Sequence, residues 1–176
     1  MNCPLRFTKD DAERAWQEWG FNCGPGALCA ILNLTPHELR PLLGDFEAKR
    51  YTSPTLMRKI LMRCAVAFGI RFDQVYRADD PVGKTTLKYG LLRVQWGGRW
   101  TNPGVPMRAR YRHTHWVGVR NMTEFFDVNA MEWLPFTVWN DQLVPWLCHA
   151  VVPGWDGTWW PTHAIEVRGE TEGGTQ

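Results

Sequence analysis

The segment that most restricts the fold is Asn22-Cys23-Gly24-Pro25-Gly26-Ala27-Leu28, with the apolar run that continues it through Ala30, Ile31, Leu32 and Leu34. It reads as a buried helix beginning near Gly24 or Pro25, since proline is favoured in a first turn. The rest of the chain has to cover that helix. Cys23 falls at or beside its N-cap, where the aligned peptide dipoles supply positive potential.

Upstream, Thr8 and Asp11 mark a helix start, Ala12, Ala15, Trp16 and Trp19 share one apolar face, and Gly20 ends the helix. Gln17 lies off that stripe. Thr35-Pro36-His37-Glu38 is a second capping box, giving a short helix over 36 to 43 with His37 on the surface. Ser53-Pro54 opens a third helix through Leu56, Ile60, Leu61, Cys64 and Phe68, closed by Gly69, with Cys64 in the core. Strands follow at Ile70 to Arg77 and Leu91 to Trp96, separated by a loop over 78 to 86. After a long loop over 97 to 110, Trp116 to Val119 and Glu124 to Val128 form a hairpin around Asn121-Met122. Asn140 or Asp141 caps a helix through Leu147 that Pro145 places early or kinks, Trp159 to Val167 is a last strand, and 169 to 176 is a flexible tail. Helices first and strands after imply an α+β fold, and 176 residues suit one domain over residues 1 to 168.

Composition narrows the function classes. Five cysteines, an odd number with no Cys-x-x-Cys pair, argue against a disulfide framework. With no run of about 18 apolar residues and no apolar signal core after Met1, a soluble, cytoplasmic protein without membrane association is expected. The net charge is only +2, yet from Pro81 to Thr123 there is no Asp or Glu, while eight Lys and Arg occur. That stretch runs into His115 and would steer an acidic substrate or partner toward that region, or be a solvated loop face. Gly83-Lys84-Thr85 is not a phosphate loop, because Ala78 stands where the earlier glycine is needed. The Cys and His spacing matches no common zinc pattern, so neither metal nor cofactor is expected. Arginines lie near Tyr111 but form no nucleic-acid module, which makes nucleic acid an unfavoured partner.

The chemistry centres on Cys23. A free thiol near pKa ~8.5 is mostly protonated at neutral pH and needs a positive neighbour. His115, on the first strand of the hairpin, is the candidate that takes the proton, with His113 two residues earlier as competitor. Asp127 is the preferred partner for the imidazole and Asn129 the alternative: a turn centred on Asn121 sets His115 opposite Asp127, and one centred a residue later sets it opposite Asn129. Gln17 is the candidate oxyanion donor beside the Cys23 N–H, which requires α-helical structure to loosen around it.

Gln17-x5-Cys23-Gly24 with its helix, then His115-Trp116-Val117 and a strand ending at Asp127, resembles the papain-like cysteine peptidases. The likeness is strongest to the compact branch that contains the double-glycine leader peptidases of bacteriocin exporters, and it spans roughly residues 15 to 130. It implies a helical half carrying the nucleophile, packed on a C-terminal antiparallel sheet. It further implies Cys23 as nucleophile, His115 as base and acid, Asp127 as orienting residue and Gln17 in the oxyanion hole. The Cys-Gly-Ser-Cys-Trp run of the larger relatives is absent. The expected activity is hydrolysis of a peptide or isopeptide bond in a polypeptide or amide substrate, an acidic one where the basic stretch does the steering. The alternatives are acyl transfer on the same scaffold, or a non-catalytic binding module using a tryptophan-rich groove and the basic loop around Arg108 and Arg110.

Overall fold

A computed structural model describes residues 4–77, 87–110 and 113–169. The expected loop over 78 to 86 and the tail beyond Gly169 lie outside the described residues. The architecture is mixed α+β. Helix α1 (Lys9–Trp19) starts at a Thr8–Asp11 capping box and closes at left-handed Gly20; α2 (Cys23–Leu32) is capped by Asn22, whose Oδ1 accepts from the Gly24 N–H. Short helices α3 (Pro36–Leu39) and α4 (Phe46–Lys49) lead to α5 (Pro54–Phe68), which Ser53 caps and Gly69 ends.

Six strands follow: β1 (Ile70–Arg77), β2 (Tyr89–Gly98), β3 (Thr114–Arg120), β4 (Glu124–Asp127), β5 (Glu132–Pro135) and β6 (Trp155–Gly169). They form one antiparallel sheet in the order β1-β6-β2-β3-β4-β5. The β3–β4 turn uses Asn121 and Met122, both left-handed (φ 50° and 56°), with the Thr123 N–H donating to the Arg120 carbonyl. Two positive φ values in sequence match the twist of a hairpin. Between β2 and β3, the expected long loop carries the short helix α6 (Met107–Arg110).

Alternation along the strands divides the core between two faces. Leu91, Trp116, Phe126 and Ile165 join the layer of α1 to α5, with Leu28, Ile31, Ile60 and Cys64 among its members. Leu92, Val117, Phe125 and Ala164 face the other way, onto a second helical layer that includes Trp139, Val144 and Cys148. Sequence reasoning anticipates the first layer and not the second. The helix expected from Asn140 begins earlier: α7 (Phe136–Val138), a π-turn (Trp139–Leu143) and α8 (Val144–Val151) run continuously. The π-turn precedes the segment in which Pro145 lacks an N–H, so the helix passes the proline without breaking.

Two side chains depart from expectation. Trp16, placed by periodicity on the buried face of α1, is 58% exposed. Arg93, within the basic stretch, is 2% exposed inside the sheet and donates to Thr114 and Thr162 hydroxyls. The basic stretch is thus not one solvated face. Among the described residues, no helix is long and apolar enough to cross a membrane, and no group of three or more His, Cys, Asp or Glu side chains is placed to hold a metal.

Candidate active site

Cys23 is the first residue of α2, where N–H groups have no acceptor within the helix. Two close packings fix that end. A Cβ on Gly24 would collide with the Thr52 hydroxyl, and one on Gly26 would come within 2.7 Å of Val128 Cγ2. Thr52 is tied in turn to β3, its carbonyl accepting from the Trp116 indole at 2.8 Å. Asn22 Nδ2 donates to the Arg50 carbonyl, anchoring the cap from its other side.

His115 sits near the start of β3, stacked on Trp96 with ring centroids 5.8 Å apart. Its Nε2 lies 2.8 Å from Asp127 Oδ2. With Nε2 so engaged, Nδ1 is the ring nitrogen left for Cys23, and both the imidazole and the backbone N–H of Trp116 act on the sulfur to lower its pKa. Asp127, the last residue of β4, is fully buried and saturated. Oδ1 accepts from the N–H and Nδ2 of Asn129 (2.9 and 2.8 Å), and Oδ2 also accepts from Trp139 Nε1 (2.9 Å).

Asp127 meets His115 by a route other than the preferred register. Gly118 pairs with Phe126, the arrangement of a turn centred one residue after Asn121, so Asp127 reaches the imidazole diagonally across the sheet. Asn129 grips the carboxylate. His113 lines the same cleft with its ring against Trp100 at 4.1 Å.

Electrostatics distinguish Cys23 from the other described thiols. Burial pushes its pKa up, but the His115 charge, the His115 hydrogen bond and the Trp116 N–H outweigh this, and the net shift is down. An opposite charge close by favours the ionised form of a group, and here it outweighs the cost of burial. His115 moves the opposite way: burial lowers it, Asp127 and Cys23 raise it further, and it stands well above the usual histidine range. Asp127 would be raised by burial, yet His115, Asn129 and Trp139 bring it down to about 2. Cys29 is pushed well up by burial, Cys64 to about 11 and Cys148 to about 12. All four described cysteines are free, and Cys23 is the one partly exposed.

The cleft above Cys23 and His115 encloses about 700 Å³, with Glu13 and Trp16 of α1 on one side and Leu147 and Val151 of α8 on the other. Gln17 is not among its lining residues. The helix does not loosen there: Gly20 N–H donates to the Trp16 carbonyl at 2.9 Å, α1 stays wound through Trp19, and exposed Gln17 donates its amide to Glu13 at 3.1 Å. The site therefore brings Cys23, His115 and Asp127 together and leaves Gln17 outside. Trp139 is the member that sequence reasoning misses, since nothing in its context separates it from ten other tryptophans. Comparison of the chain with family models, curated proteins and solved structures gave no match.

Proposed function

We propose that this chain is a cysteine hydrolase of papain-like type, cutting a peptide or isopeptide bond. The observation that carries the reading is the continuous chain from a lowered Cys23 thiol through His115 to a saturated Asp127 at the floor of an open cleft. The Cys23 thiolate attacks the carbonyl carbon, and the oxyanion that forms is met by the Cys23 N–H at the start of α2, since Asn22 holds the Gly24 and Gly26 N–H groups and Pro25 has none. The His115 imidazolium gives its proton to the departing amine as the C–N bond breaks, leaving a thioester on Cys23. Neutral His115 then takes a proton from water, which attacks the thioester; the C–S bond breaks, the carboxylic acid leaves and the thiolate–imidazolium pair is restored. An amine entering in place of water would make the same steps an acyl transfer.

The test is a peptide-based electrophile that alkylates thiols, followed by digestion and mass spectrometry. Cys23 should label far faster than Cys64 or Cys148, and Cys23→Ala should abolish cleavage of a mixed peptide pool that the wild type cuts. Equal labelling of the three thiols, or cleavage that survives Cys23→Ala, would overturn the reading.

A further inference from the structure

The helical segment after β5 reaches into the site from the far face of the sheet. Its π-turn, in which the Val144 N–H returns to the Trp139 carbonyl, adds a residue to the helical turn, and such turns are frequent at functional sites. Here it delivers a fully buried indole to a carboxylate. Trp139 Nε1 donates at 2.9 Å to Asp127 Oδ2, the same oxygen that faces His115 Nε2 at 2.8 Å. The indole is clamped: Phe125 stacks on it at 4.8 Å and 25°, and Trp159 meets it edge-on at 5.2 Å. Trp159 is itself fixed by donating to Asn140 Oδ1, the next residue of the π-turn, at 2.8 Å.

Building on the proposed hydrolase chemistry, we infer that Trp139 is a positioning residue: through Asp127 Oδ2 it sets the plane of the carboxylate and so the direction in which the His115 ring presents its other nitrogen to Cys23. Asn129 holds only Oδ1, which leaves the carboxylate free to swing about its bond to Cβ. The indole donor removes that freedom. It also draws negative charge from the oxygen nearest the imidazole, and the Asp127 charge works against the Cys23 thiolate. Both effects of losing the indole N–H weaken the thiolate at acid pH.

The experiment is the pH profile of Cys23 alkylation in the wild type, Trp139→Phe and Phe125→Leu. Trp139→Phe keeps an aromatic ring on Phe125 and deletes the donor, so the acid limb should move up by about one pH unit, about tenfold in rate on that limb. Phe125→Leu loosens the same aromatic stack but keeps the N–H, and should move the limb by clearly less than Trp139→Phe does. An unmoved limb in Trp139→Phe, or an equal shift in Phe125→Leu, overturns the inference while the hydrolase reading stands. A wild-type Cys23 as slow as Cys148 would instead remove the hydrolase reading on which it rests. Should Trp139→Phe not fold, the indole N–H resonance of Trp139 in the otherwise native protein serves: it should move in His115→Gln, while that of Trp100, bonded to the Trp96 carbonyl, stays. A Trp139 resonance indifferent to His115→Gln overturns the inference.

Discussion

Gly26→Ala should disable Cys23 while barely affecting stability. A Cβ at Gly26 would stand 2.7 Å from Val128 Cγ2 and 2.9 Å from Val128 Cβ, against ordinary carbon contacts of ~3.5–4.0 Å. One side must yield by about 1 Å. Overpacking of this kind costs about 1–3 kcal/mol, and the better helix propensity of alanine returns about 0.8–1.0 kcal/mol, so the net loss is small. The displacement lands where it matters. Cys23 is one turn back along α2, and Val128 lies between Asp127 and Asn129, the two ends of the carboxylate clamp. A misplacement of about 1 Å between reacting groups costs on the order of 10²-fold. Denaturant melts should show a change of about 2 kcal/mol at most, with Cys23 alkylation slowed by about two orders of magnitude at neutral pH. Val128→Ala in the same chain removes the obstructing methyl groups and should recover most of the rate. Full reactivity in Gly26→Ala, or no recovery in the double variant, would refute the reasoning.

Three further outcomes follow from the same geometry. His115→Ala removes the charge that lowers the Cys23 thiol, so alkylation at pH ~7 should fall by about 30-fold or more, the ratio set by a thiol at ~8.5 or above. Asp127, held at about 2 when folded against ~3.9 when unfolded, contributes about 2–3 kcal/mol. That stability is present above pH ~4 and lost as pH falls through the folded value, so Asp127→Asn should flatten this part of the acid denaturation profile measured by chemical unfolding. Gln17→Ala should leave turnover nearly unchanged, far from the ~10²–10³-fold loss expected of an oxyanion donor, because Gln17 is bonded to Glu13 outside the cleft.

Local chemistry made much of this legible in advance. Thr8, Thr35 and Ser53 cap helices where their spacing predicts, Gly20 and Gly69 close helices, and Asn121-Met122 turns the hairpin. Cys23 and His115 were readable because each sits at a position such a signal defines: a helix start and a strand of the hairpin. The rest depended on packing that no local pattern encodes. Strand β5 is only four residues long, and it adds to the sheet edge through β4. Gln17 lies at the right distance in sequence, yet helix α1 is closed so well at Gly20 that the amide stays on its own helix. Trp139 reaches Asp127 through a π-turn that lies ahead of the helix start expected at Asn140 or Asp141.

The proposed chemistry requires an ionised sulfur at Cys23 in the resting protein. Thiolate absorbance in the ultraviolet, taken as the difference between the wild type and Cys23→Ser across a pH titration, measures it directly. A thiolate signal of one per chain that is already present below the ordinary thiol range of ~8.5, and is lost on acidification, is the expected result. A difference signal that emerges only as pH rises through ~8.5 would show a neutral thiol beside His115 and contradict the account.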